Sequence, residues 1–213
     1  MTKEVWAPCS SCVRSTSHKI LYETAQHDED WTLTYAMLEC LGCHRICLLE
    51  IARYVTGDSE QIYYPSPVSR KEPEWVDTMV LAGLLDNKTV DGRLGSLLRE
   101  IYQAVHGRQY RLAAMGIRAL LEQLMVSQVG DLSTFEQKLD AFMEQGYISL
   151  VQFDAMKATI EVGHAAMHRG YEPNENDVKL ALDIVEGVMA PLFHHIAEAG
   201  KMVDRVPPRV PRK

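Results

Sequence analysis

The chain has 213 residues, 46% hydrophobic and 24% charged, with a formal net charge of −7. That composition excludes wholesale disorder and fibrous repeats, and the length suits one ordinary domain plus a small satellite, since domains run to about 100–200 residues. The negative balance gives no global attraction to nucleic acid, although a local basic face stays open.

The amino terminus, Met1–Trp6, lacks the apolar core of a signal peptide, and no run of about 18 apolar residues follows. The expectation is a soluble cytoplasmic protein with no membrane partner. From about residue 5 to 64 the sequence reads as short β-type runs, His18–Tyr22, Leu33–Leu38 and Ile46–Val55, separated by polar turns. Four of the five cysteines fall here as two pairs, Cys9-Ser10-Ser11-Cys12 and Cys40-Leu41-Gly42-Cys43. Two-residue spacing lets both thiolates of a pair reach one tetrahedral ion at about 2.3 Å. In a reducing compartment this pattern reads as metal binding rather than disulfides.

Four thiolates close the coordination sphere, so the expected cofactor is a structural Zn held by Cys9, Cys12, Cys40 and Cys43 in a zinc ribbon over residues 1–64. Gly42 is expected at a positive φ, which glycine adopts without a Cβ penalty. Cys47 and His44 follow the second pair and could each stand in for Cys43, with a buried free thiol the commoner role for Cys47.

Pro65, Pro67 and Pro73 then block both helix and central strand. Residues 65–92 read as a linker with a first helical segment, and 93–200 as a helical bundle. Leu94, Leu97, Leu98, Ile101, Ala104 and Val105 form one helical stripe, and Ala113, Ile117, Leu120, Leu121 and Leu124 the next. Ser133–Glu136 and Ser149–Gln152 read as capping boxes, with Gly146 and Gly170 at the stops. The clearest stripe runs from Val178 to Ile196, opened by Asn174 as a cap and bent at Pro191. Residues 201–213, rich in proline and arginine, are expected to be an extended, mobile tail. The fold class is α+β: a small N-terminal β zinc ribbon, then a C-terminal α-helical bundle.

Three stretches go further: Tyr64-Pro65 after the ribbon, Ile117-Arg118-Ala119-Leu120-Leu121-Glu122 in a bundle helix, and Gly163-His164-Ala165-Ala166-Met167-His168-Arg169-Gly170 before the last helix. Their order and spacing resemble the domain of unknown function family 4145, over nearly the whole chain. The resemblance implies a HEPN-like (higher eukaryotes and prokaryotes nucleotide-binding) bundle and a homodimer. It also implies a place in bacterial defence or toxin–antitoxin systems, with RNA, DNA or a protein as partner. Some members of that superfamily are metal-independent ribonucleases that use an Arg followed four to six residues later by a His.

His168 matches that His, but no Arg occurs between Arg118 and Arg169. An Arg is hard to replace, because its fixed charge and planar fork hold one phosphate through two hydrogen bonds. The catalytic candidates are therefore His168, His164, Arg118, Glu122 and Arg169. A non-enzymatic nucleic-acid- or protein-binding module is the expected function, with a ribonuclease of degenerate motif as the alternative. His164 and His168 share a helix face with Met156 and Ile160 and are expected to point inward, forming one polar cluster with Arg118 and Glu122.

Overall fold

The computed structural model describes residues 3–85 and 90–207, divided into two compact units, one ending at Lys71 and the other starting at Glu72. Five strands make up the first unit: β1 (Glu4–Cys9), β2 (Arg14–His27), β3 (Trp31–Cys40), β4 (Ile46–Tyr54) and β5 (Ser59–Tyr64). They pair antiparallel in chain order as one meander. The three strands legible in the sequence are the central ones. The two that were not, β1 and β5, are the edges, where Pro8 is tolerated because one side of an edge strand needs no donor.

The register places His18 opposite Cys40 and Trp31 opposite Tyr54, with a shift in β2 between Ile20 and Tyr22. Side chains alternate across the sheet. One face buries Ala7, Ala36, Leu38 and Leu49, with Val5, Ile20, Cys47, Ile51 and Tyr63 around them. The other face also carries apolar side chains, and these stay exposed or half-exposed.

The second unit contains α1 (Glu74–Leu85), α2 (Val90–His106), α3 (Tyr110–Val129), α4 (Phe135–Glu144), α5 (Leu150–His168), α6 (Glu175–Ala190) and α7 (Ile196–Asp204). Val76 and Met79 of α1 belong to the same core as the later helices, so the bundle begins before residue 93. The part of the expected 65–92 segment at 86–89 lies outside the described residues.

Helix α3 is central and packs against α2, α4, α5 and α6. It buries Ala113, Ala114, Ile117, Leu120, Leu121, Leu124 and Met125, on more than one side of the helix. Each fully buried aliphatic side chain contributes about 1.5–3 kcal/mol of transfer free energy.

Caps mark the helix starts. Asn174 accepts from the amides of Asn176 and Asp177, and Ser149 forms a capping box with Gln152. The α4 box is Thr134 with Gln137, one residue later than Ser133–Glu136, because Gln137 reciprocates at N3 as well as Glu136 would. Gly146 (φ 81°) and Gly170 (φ 66°) follow the ends of α4 and α5 in the left-handed region.

Pro191, which has no amide to donate, opens a π-type turn over Pro191–His195 that joins α6 to α7. The buried stripe of α6 ends at Met189, and α7 buries nothing. Because α7 reaches Asp204, Lys201–Asp204 is helical rather than part of a tail; residues 208–213 of that expected tail lie outside the described ones. By length and composition alone Glu175–Asp204 could cross a membrane. Val178, Leu182, Val185 and Met189 are fully buried in the bundle, however, so α6 serves as a core helix.

Helix α5 approaches α3 at Gly163, where a Cβ would lie 2.6 Å from Arg118 Cβ and 2.7 Å from the Ala114 carbonyl oxygen. Gly163→Ala is expected to destabilise the helical unit by about 1–3 kcal/mol through overpacking. Urea unfolding followed by circular dichroism measures this, and an unchanged midpoint would show that the two helices separate freely.

Candidate metal centre and the polar groups of α3 and α5

Each cysteine pair sits where a turn links two strands: Cys9 ends β1 and Cys12 lies in the turn to β2, while Cys40 ends β3 and Cys43 lies in the turn to β4. The hairpin pairing of β2 with β3 brings the two turns together, and all four Sγ atoms lie within 4.8 Å of one another. Cys9 and Cys43 are 3.5 Å apart and Cys12 and Cys40 3.9 Å. A tetrahedral ion with bonds of about 2.3 Å separates its ligands by about 3.8 Å, so the set is the right size for one metal.

Backbone and hydroxyl donors surround the sulfurs. The Cys12 amide points at Cys9 Sγ (3.4 Å) and the Gly42 amide at Cys40 Sγ (3.4 Å). The Thr16 hydroxyl lies 3.2 Å from Cys40 Sγ. This hydroxyl, with the amides of Cys43 and Gly42, outweighs burial and holds the Cys40 thiol down at about 5. Cys12 moves the other way, pushed up to about 12 by the neighbouring thiols of Cys43 and Cys9. Four crowded thiols cannot all ionise unaided, and a dication relieves that repulsion, so the donor set fits a soft divalent metal.

The left-handed positions differ from expectation. Gly42 is not among the positive-φ residues; Val13 (φ 52°) and His44 (φ 60°), each directly after the second cysteine of its pair, take that conformation. Val13 ends the turn into β2 and His44 lies two residues before β4, so the strain falls one residue beyond each cysteine. His44 Nδ1 lies 3.0 Å from Glu39 Oε1 and takes no part in the centre. Cys47 packs with the small core beside the four, and burial pushes its thiol up. Buried His18, its Nδ1 3.0 Å from the Thr16 carbonyl oxygen, and Thr16 itself were not legible from spacing, since nothing local marks a strand hydroxyl as a thiolate partner.

In the helical unit the expected four-residue cluster is divided. Met156, Thr159, Gly163 and Ala166 form the buried stripe of α5, in steps of three, four and three, whereas steps of four from Met156 drift away from the core. His164 and His168 are consequently exposed, not inward, with ring centroids 4.8 Å apart. Arg169 pairs with Glu161, and His164 Nδ1 lies 3.9 Å from Glu161.

Arg118 instead places its guanidinium 5.2 Å from the Phe135 ring centroid and 3.7 Å from Glu122. Its Nε is buried with no hydrogen-bond partner among the described residues. Glu122 finds its closer partner in Lys138, 3.1 Å away, a buried lysine of α4 that also holds Asp131 at 3.1 Å. Asp131 and Glu122 together push the Lys138 ammonium above its ordinary range. Lys138 escaped notice because a single lysine in a solvated-looking helix carries no local signal.

A small meander closed by four thiols, together with a separate helical bundle, defines an α+β protein with a candidate structural metal centre. Residues 99–205 match the family described as Domain of unknown function (DUF4145), and the chain belongs to that family. Neither a curated protein nor a solved structure matches the chain.

Three variants test the centre. Elemental analysis is expected to return one metal per chain, and Cys40→Ser to lose it together with the fold of the sheet; a folded, metal-free Cys40→Ser protein would remove the site. Thr16→Val deletes the strongest influence lowering Cys40, so protons compete better and acid release of the metal should move to higher pH. Val13→Gly relieves a β-branched residue at positive φ and should stabilise the metal-bound sheet by about 1 kcal/mol.

Proposed function

We propose that this protein is a zinc-containing, non-enzymatic binding module for a nucleic acid or a protein. In this reading it acts as a cytoplasmic homodimer in a bacterial defence or toxin–antitoxin setting. The zinc closes the sheet and supplies no reaction, since four thiolates leave no position for water.

The observation that carries the non-enzymatic reading is that both candidate arginines, Arg118 and Arg169, are engaged by groups other than His168. Arg169 is held by Glu161, and Arg118 is fixed between Gly163, Phe135 and Glu122. Neither has the mobile fork that a phosphate-polarising Arg needs beside an imidazole. One feature favours the alternative, a metal-independent ribonuclease: the exposed, edge-to-face pair of His164 and His168 with Glu161 next to it.

Incubating the metal-loaded protein with labelled RNA at defined salt separates the two. The expected result is intact RNA, with His168→Ala indistinguishable from the parent. Cleavage that disappears in His168→Ala would overturn the binding reading in favour of the ribonuclease. Light scattering is expected to give twice the 24.1 kDa chain mass; a monomer at micromolar concentration would remove the dimer.

A further inference from the structure

The open face of the N-terminal sheet is unusual for an antiparallel sheet whose other face holds the core, because such a sheet normally turns polar side chains to water. Here Trp31, Leu33 and Tyr35 of β3 lie beside Tyr54, Ala52 and Glu50 of β4 in direct register, and Glu60 and Ile62 of β5 stand opposite Ala52 and Glu50. Trp31, Leu33, Glu50, Ala52, Tyr54, Glu60 and Ile62 line a depression of about 300 Å³. Tyr54 is 44% and Ile62 36% exposed.

We propose that this depression is a docking site for an arginine-bearing peptide segment of a partner protein. The inference rests on the binding-module reading and specifies its partner. Two kinds of group meet in the depression. Indole and phenol faces attract a cation within about 6 Å of the ring centroid, and a planar guanidinium also stacks on them. Glu50 and Glu60 are diagonal neighbours across β4 and β5, a separation of about 7–8 Å that one guanidinium can bridge.

Glu50 interacts with the Tyr35 hydroxyl, which leaves other lone pairs of its carboxylate for an incoming donor. Glu60 has no cationic partner among the described residues. Arg53, the cation of this stretch of β4, alternates onto the opposite face.

Charge decides the class of occupant. The β2–β3 turn at the same end of the sheet is Asp28-Glu29-Asp30, and the β4–β5 turn adds Asp58, so the approach to Trp31 and Tyr54 is acidic. A nucleic-acid phosphate would be repelled there. The same face of a second copy would be repelled too, because it brings the same carboxylates. A basic peptide meets opposite charge at the rim and apolar and aromatic surface inside. Arginine suits it better than lysine, because only the guanidinium is flat enough to stack while donating to two carboxylates.

The test uses the full-length, metal-loaded protein and a hexa-arginine peptide, with hexalysine and single-stranded RNA as comparators, followed by calorimetry and by the indole N–H signal of Trp31. The expected result is one peptide per chain, a shift of the Trp31 indole but not of the Trp75 indole, and weaker binding of hexalysine. Glu60→Gln, at an exposed position that leaves the fold intact, should weaken hexa-arginine about tenfold. Glu198→Gln on α7, a control carboxylate, should leave it unchanged.

Absence of peptide binding overturns the proposal, as does binding that Glu60→Gln leaves untouched. Displacement of the peptide by RNA would also overturn it, because the face would then be a nucleic-acid surface. These failures leave the binding-module reading standing if the protein still retains RNA or a partner through another surface. Loss of that broader reading is registered separately, by His168-dependent cleavage.

Discussion

Apart from Cys9, Cys40 and His18, the described residues of the five-stranded sheet bury only four side chains fully, the small or medium apolar Ala7, Ala36, Leu38 and Leu49. That is too little to offset the conformational entropy of ordering some sixty residues, at about 1–2 kcal/mol for each backbone unit. The convergence of four thiolates is thus the constraint on which the N-terminal unit depends. It brings the β1–β2 turn against the β3–β4 turn at one end of the sheet. The helical unit has no such debt: its core runs from Val76 to Met189 and includes fully buried Tyr102, Phe142, Ile117 and Leu182. One chain therefore joins a unit built around a candidate metal centre to a unit held by packing.

The two modes leave different freedom to the surface. In the bundle, apolar side chains from several helices surround α3, and the buried Lys138 is compensated by Glu122 and Asp131. A sheet whose turns converge on four cysteines can be closed there, at its edge, without a layer over its second face. Trp31, Tyr54 and Ile62 remain accessible on that uncovered face.

Local signals were the most legible in the sequence. Cys-x-x-Cys spacing, the box at Ser149, the cap at Asn174, and the glycines at 146 and 170 each depend on a few adjacent residues, and each stands where the pattern put it. The edges β1 and β5 were missed because Pro8 in one and the polar Ser59-Glu60-Gln61 opening in the other weaken a strand pattern that only pairing to one neighbour sustains. The exposed face of β3 was hidden for a different reason. Leu33, Tyr35 and Met37 are as apolar as Ala36 and Leu38 between and after them, so alternation of hydropathy could not tell inside from outside. The inward reading of His164 and His168 failed on the difference between repeated steps of four and the mixed steps of three and four in the stripe that α5 buries.

The wide turn at Pro191–His195 changes what the end of the chain presents. A π-type turn holds about one residue more than an α-turn, and one residue corresponds to about 100° of rotation around a helix axis. The apolar sequence continues past it, but its direction does not: Val185 and Met189 face the core, whereas Ile196 and Val203 face outward. A single-residue deletion in this turn would leave the composition almost unaltered while swinging α7 by about a quarter-circle. Length variation at this one joint would act as a dial that sets which surface the last helix displays, without any change to the core behind it.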